Sequence, residues 1–184
     1  MRSFLIGLLL IPVCTGAGEI LELHVEYAAG VYGVSLDARI DAPVGHVQRL
    51  ITDYAHLSAI NPSILESRVL RVTAPDTHRV HSLLRVCILI FCKEMIQVQD
   101  VRQHGGGLIE ALTVPALSDF RSGVYRWQLL PEDTATRMRF SAQLEPDFWV
   151  PPVIGPWLIK RKLHEEVRVT TAAIESGAHS ETGK

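Results

Sequence analysis

Little charge of one sign is present in this chain. Eighteen Lys and Arg stand against 20 Asp and Glu, a formal net charge of −2 over 184 residues. That balance speaks against a basic nucleic-acid-binding surface. Cysteines are few, three in all, and lack a second pair at zinc-site spacing. No apolar run reaches the roughly 20 residues of a membrane span. Phosphate-binding loops, dinucleotide fingerprints and G-x-S-x-G elbows do not occur. Gly105-Gly106-Gly107 lacks the strand–glycine–helix context and reads as a hairpin turn. The eight histidines form no chelating pair. His78 and His81 fall on opposite faces of a strand, while His46, His56 and His104 lie in helix or loop without nearby cysteines. No catalytic residue, metal site or cofactor is therefore expected. What remains is 47% hydrophobic and 21% charged, the balance of one globular domain.

Residues 1–17 read as a cleavable signal peptide. Arg2 opens it, Phe4 to Val13 supply an apolar stretch of the right length, and Thr15 and Ala17 are small at the −3 and −1 positions of a cut before Gly18. A buried first strand or an uncleaved anchor are the alternatives. Cleavage implies export, most simply to a periplasm. It also leaves Cys87 and Cys92 as an even pair flanking Ile88-Leu89-Ile90-Phe91 at a hairpin tip. That geometry permits a disulfide, and an oxidising compartment favours it over two free thiols.

The most informative stretch runs from Val34 to Leu70. Val34, Leu36, Ala38 and Ile40 alternate with Ser35, Asp37, Arg39 and Asp41, the pattern of a half-buried strand. Pro43 suits the first position of a helix. Val44, Val47, Leu50, Ile51 and Tyr54 form its apolar stripe. Asn61-Pro62 stops a second short helical piece, and a strand follows. A strand ending I-D-A-P, a helix V-x-x-L-I-T-D-Y, then N-P and a strand resembles the START-like (SRPBCC) superfamily. Within it, the pattern is most similar to the polyketide cyclase/dehydrase and coenzyme Q-binding branch. Ala42, Pro43, Val47, Leu50, Asp53, Tyr54 and Pro62 carry the resemblance, which covers about Val31 to Ser176. Gln48 departs from it, since Trp or Phe is frequent there in the family. The resemblance implies an α+β helix-grip fold: a curved antiparallel sheet wrapped around a long C-terminal helix, with an apolar cavity between them. Family members bind lipids, isoprenoids, sterols or polyketides, and some are enzymes.

The remainder fits that plan. Strands are expected over 63–72, 78–90, 92–103, 108–114, 123–130 and 136–144, with 22–27 a further strand joined through Ala29-Gly30. A closing helix of about 20 residues should end near Ile174. Gly177 is its stop, and residues 177–184 are expected to be a disordered polar tail. Trp157, Leu163, Val167 and Ile174 line one side of this helix, and Arg161, Lys162, Glu165 and Glu166 are expected to face water. Tyr125, Trp127, Leu129, Met138 and Phe140 point inward from the strands, joined by Trp157. By pattern alone this is either a packed core or a ligand pocket; the START-like resemblance implies the pocket. Its expected lining is Tyr125, Trp127, Met138, Phe140 and Trp157, with His164 touching a ligand head group or else facing solvent.

Two apolar segments, one containing Ile88, Ile90 and Phe91 and the other Phe148 and Trp149, form an expected portal, with transient membrane-surface contact. Arg79, His81, Arg85, Arg126, Arg137 and Arg139 make a basic outer stripe, which either meets an anionic membrane or is paired with acids. Asp119 and Arg121 are expected near the pocket mouth as paired groups. The sequence thus leads to an exported binding protein for a hydrophobic small molecule, without nucleic acid. Two alternatives remain. A cyclase/dehydratase would need an acid–base pair, for which only Glu94, Glu110 and His164 are available. A protein-interaction module is the other, and the signal peptide argues against a ribosomal partner for it.

Overall fold

The computed structural model describes residues 18–88, 91–150 and 155–182. The expected signal peptide and the centre of the apolar hairpin tip, including Ile90, lie outside the described residues. Among the described residues eight strands form one antiparallel sheet: β1 (Glu19–Ala28), β2 (Val31–Ile40), β3 (Ile64–Ala74), β4 (Thr77–Ile88), β5 (Phe91–Gln103), β6 (Leu108–Thr113), β7 (Phe120–Glu132) and β8 (Ala135–Pro146). Their spatial order is β1-β2-β8-β7-β6-β5-β4-β3, so β1 and β3 are the open edges. Helix α1 (Val44–Ile51) follows β2, and α2 (Gly155–Thr182) closes the chain.

Local chemistry accounts for these elements. Ala29 and Gly30 both take positive φ, 51° and 90°. That is the two-residue turn whose twist matches flanking antiparallel strands, and it puts Tyr27 opposite Tyr32. Pro43, at φ −60° and ψ 143°, sits just before α1 as its cap, one place earlier than its preference for the first helical position implies. From α1, Val47 is completely buried against Ile40, Ala42, Ile60, Leu129 and Ile174. This cluster closes one end of the molecule and joins the sheet, α1 and the C-terminal half of α2.

The sheet curls so that both edges reach α2. The helix runs close over β1 and β2, while Glu166 Oε1 accepts a hydrogen bond from Ser63 Oγ, just ahead of β3, at 2.5 Å. At its far end the buried Glu175 carboxylate accepts from the amides of Asp41, at 2.7 Å, and Gly18, at 3.0 Å. This is the expected helix-grip architecture.

The helix continues past the stop expected at Gly177 and runs to Thr182, over residues expected to be tail. Gly177 does not adopt the positive φ of a terminating glycine. It packs against α1 instead: an added Cβ would lie 3.4 Å from His46 Nε2 and 3.7 Å from Leu50. Smallness, not backbone freedom, is what this position uses.

Candidate functional site

The concave face of the sheet is floored by the residues singled out from the strand pattern. Tyr125 and Trp127 on β7 and Met138 and Phe140 on β8 share it, and Trp127 lies directly opposite Phe140. The Trp127 ring is 5.0 Å from Phe140 and stacks on Tyr125 at 6.2 Å. Leu163 and Val167 of α2 pack on the same cluster. Tyr125 is buried, and burial pushes its phenol above the ordinary tyrosine pKa. Trp127, Met138 and Phe140, however, are only half-buried. They sit on central strands beneath a helix, where a filled core would bury them, yet part of each side chain stays accessible.

A polar line crosses this floor. Strand alternation sets Ile96 and Val98 against Gln97 and Gln99 without saying which pair faces the helix. The pairing answers it: Gln97 lies opposite Ser82 and Gln99 opposite Val80, on the inner face. Gln97 Nε2 donates to Tyr125 Oη at 2.7 Å, and Gln103 Nε2 donates to Tyr54 Oη at 3.1 Å. Thr113 pairs with Gln99. A Cβ on Gly123 would collide with Thr113 Oγ1 and fall 2.7 Å from Tyr125 Oη, so only glycine lets the Tyr125 ring fold across its own strand.

Other expected members of the site are elsewhere. Trp157 is 63% exposed, with the Arg161 guanidinium 5.9 Å from its ring, and does not line the interior. It lies in the first turn of α2, whose buried residues Thr171, Ile174 and Glu175 belong to the other half. His164 is exposed, the solvent-facing alternative. Lys162 and Glu166 are the reverse case: both are largely covered and form an ion pair at 2.8 Å. Burial works against the charge on Lys162, but Glu166 and then Glu165 outweigh it and leave its pKa raised. Helical spacing put these two on the wet side; the curled sheet edge at Ser63 covers them. Glu166 Oε2 accepts no hydrogen bond among the described residues.

Neither strand carboxylate suited to acid–base work faces inward. Glu94 pairs with Arg85 and Glu110 with Arg126, both on the convex side. The Arg126 hydrogen bond holds Glu110 below the usual carboxylate range, the opposite of the raised pKa of a buried acid. The basic outer stripe is similarly matched by acids: Arg79 with Asp100, and Arg137 and Arg139 with Asp37.

At the end away from α1, β4 and β5 are joined by a disulfide between Cys87 and Cys92, which face each other with Cα atoms 4.0 Å apart. Next to it, Lys93 places its ammonium 4.6 Å from the centre of the Phe148 ring, and Phe148 meets Phe120 edge-on at 5.9 Å. The hairpin and the segment before α2 therefore approach one another. Trp149 is 79% exposed. Arg121 binds Asp147 at 2.7 Å and Glu145 at 3.5 Å, and Asp119 accepts from the Ile96 amide, so both residues near the mouth are paired as expected. A groove of about 470 Å³ opens here between the β1–β2 turn and residues 145–150. Another hollow, of about 440 Å³, lies on the convex side between Asp37, Arg126 and Arg139. Neither is the space over Trp127. Among the described residues, no group of three or more His, Cys, Asp or Glu could hold a metal ion, and no helix is long and apolar enough to cross a membrane.

Comparison with known proteins places this geometry. The family described as polyketide cyclase / dehydrase and lipid transport matches residues 33–175. No curated protein matches the chain. Among solved structures, a START superfamily protein from Mycobacterium smegmatis is 16% identical, with a TM-score of 0.63 over 80% of this chain and 97% of the other. The Zhui aromatase/cyclase from Streptomyces sp. R1128 is 10% identical, with a TM-score of 0.66 over 83% and 96%. A STAR-related lipid transfer protein from Xanthomonas axonopodis is 14% identical, with a TM-score of 0.59 over 85% and 98%. At these identities the likeness is one of fold.

Proposed function

The chain belongs to the polyketide cyclase / dehydrase and lipid transport family, and from that premise we propose that it is an exported carrier of an apolar small molecule, a lipid, isoprenoid or polyketide-like compound, held between the concave sheet face and α2. One observation carries this reading: Trp127, Met138 and Phe140 face the helix yet stay half-buried. Apolar side chains left partly wet inside a fold gain about 25 cal/mol for each Å² a ligand covers. Gln97, Gln99 and Thr113 supply the few polar groups that orient a ligand in a mostly apolar pocket.

The same reading places the entrance at the end marked by Phe148, Trp149 and the β4–β5 tip, with transient contact to a membrane surface during loading. Exposed Trp149 and Trp157 support this, since tryptophan favours a membrane–water interface. Export rests on the sequence of residues 1–17, and the Cys87–Cys92 bridge accords with an oxidising compartment.

A cyclase or dehydratase would need two acid–base groups within reach of one substrate atom. Glu94 and Glu110 lie outside, His164 is exposed, and the covered carboxylate Glu166 is engaged by Lys162 and Ser63. The carrier function is tested by purifying the protein from its host, recording native mass spectra and extracting any bound compound. A co-purifying apolar molecule released on denaturation is expected. A protein that is empty and also fails to take up diphenylhexatriene would reject the carrier. Intact mass of the periplasmic fraction tests export: the expected chain starts at Gly18, and a cytoplasmic chain retaining residues 1–17 would reject it.

A further inference from the structure

At the α1 end of the molecule one carboxylate holds a contact whose chemistry depends on how the chain starts. Glu175 is buried on α2, and its two oxygens serve different elements. Oε1 accepts from the amide of Asp41 at the β2–α1 corner, and Oε2 accepts from the nitrogen of Gly18 at 3.0 Å. Thr171 stands one turn earlier on the same face of the helix, since residues four apart lie one above the other. An added Cβ on Gly18 would lie 2.8 Å from Thr171 Cβ and 3.0 Å from the Arg39 carbonyl oxygen. Thr171 is itself buried and has no room to withdraw. Glycine at this position therefore brings the chain close enough to the helix for its nitrogen to reach Glu175. β1 begins at the next residue, Glu19. Gly18 is also the first residue after the cut expected from the small residues Thr15 and Ala17. The rule that selects it concerns the residues just before a cut, whereas its contact is with a carboxylate 157 residues along the chain. Neither implies the other, and both fall on the same nitrogen.

We infer that Gly18 and Glu175 form a maturation latch: removal of residues 1–17 creates an α-ammonium at Gly18 that makes an ion pair with the buried Glu175 carboxylate. Hydrolysis of the Ala17–Gly18 bond consumes one water. Its oxygen stays on the Ala17 carbonyl carbon, which leaves as a carboxylate, and both its protons end on the Gly18 nitrogen. An α-amino group has an ordinary pKa of about 7.7–8.0 and is mostly protonated at neutral pH. In the uncut chain the same nitrogen is a neutral amide that donates one hydrogen bond. Glu175 is withdrawn from water in both forms, so the ammonium adds attraction without desolvating the carboxylate further. Gly18 is half-buried, so its own loss of hydration is partial. The pair joins the start of β1, the β2–α1 corner and α2. Cleavage tightens that end of the fold, and the uncut chain holds its structure less firmly until it has been exported. This inference rests on the export reading and adds what the cut does to the protein.

The test compares three chains that are identical from Gly18 onward: one with a free Gly18 amine, one that starts at Ala17, and one with Gly18 α-N-acetylated. The acetyl group restores the neutral amide of the uncut chain and so removes the charge while keeping an N–H donor. Urea denaturation reads the unfolding equilibrium constant of each. The free-amine chain should have a constant about tenfold smaller than the other two, the gain from charging the donor of a covered carboxylate. Glu175→Gln should erase the difference among the three. Equal constants for the three chains with Glu175 in place overturn the latch, and that comparison holds even where Glu175→Gln does not fold. A free-amine advantage that survives Glu175→Gln overturns it as well. Intact mass of the chain recovered from its host separates the latch from the export reading. A mature chain that starts at Gly18 but shows no free-amine advantage removes the latch and leaves export standing. A mature chain that starts at another residue, or a cytoplasmic chain retaining residues 1–17, removes the cut at Gly18 and the latch with it.

Discussion

Replacing Trp127 with Ala separates a filled core from a ligand hollow by two measurements that move in opposite directions. In a filled core, truncating a large aromatic costs about 3–5 kcal/mol. Trp127 touches Tyr125 and Phe140 but is only half-buried, so part of that packing is missing from the native state. The expected loss of stability is nearer ~2 kcal/mol, read from the midpoint of urea denaturation at unchanged slope. The ligand should register the rest. A tryptophan buries on the order of 200 Å². If about a quarter of that surface is left for a ligand, ~50 Å² at 25 cal/mol per Å² is ~1.3 kcal/mol, or roughly tenfold in affinity. Diphenylhexatriene fluorescence during titration measures it. A variant that loses 4 kcal/mol or more and binds the probe as the parent does would show the interior to be packed and refute the inference drawn from half-burial.

Three further outcomes are expected. Removing the bridge with the Cys87→Ser, Cys92→Ser pair should cost about 2 kcal/mol, the chain entropy of so short a loop, at a sequence separation of 5; no difference between oxidised and reduced parent protein in urea would show that the bond does not stabilise the fold. Asp37 is held below its ordinary pKa chiefly by the Arg137 hydrogen bond, with Arg139 adding to it, and Asp100 chiefly by Arg79. Their contribution is therefore complete above the ordinary carboxylate pKa and is lost as pH falls through the lowered folded values. The urea midpoint should be flat from about pH 5 to 7 and drop below about pH 4, with a shallower acid drop in Asp37→Asn; an unchanged acid slope in that variant contradicts the assignment. Glu175→Ala removes the charged acceptor of the part-buried Gly18 and Asp41 amides and should cost about 1.5–3 kcal/mol, the range for hydrogen bonds to a charged group; a loss below ~0.5 kcal/mol in calorimetry would show that water replaces the carboxylate.

Much of the molecule was legible in the order of its residues. Alternation along 34–40 and 136–144, the proline before α1 and the Ala29-Gly30 turn are properties of neighbours in sequence, and physical rules of short range read them directly. The four aromatic and thioether positions Tyr125, Trp127, Met138 and Phe140 came from the same alternation, because a strand commits every second side chain to one face. Trp157, Lys162 and Glu166 depart together from what the helical stripe predicts, and for one reason. Helical periodicity gives a stripe but not what lies against each turn of it. Over a long helix the covering element changes: α1, Gly18 with β1, and β2 at one end, the curled edge at Ser63 further along, and solvent at Trp157.

The sequence alone determined the element order, the inner faces of most strands and the family, since all of these follow from local pattern and from motif. Tertiary structure decided which way Gln97 and Gln99 point, which carboxylates are sheltered, and that the Tyr32 hydroxyl is buried with no partner among the described residues. Those facts depend on pairings between strands far apart in the chain and on where a curved sheet meets a straight helix, and no local propensity encodes either.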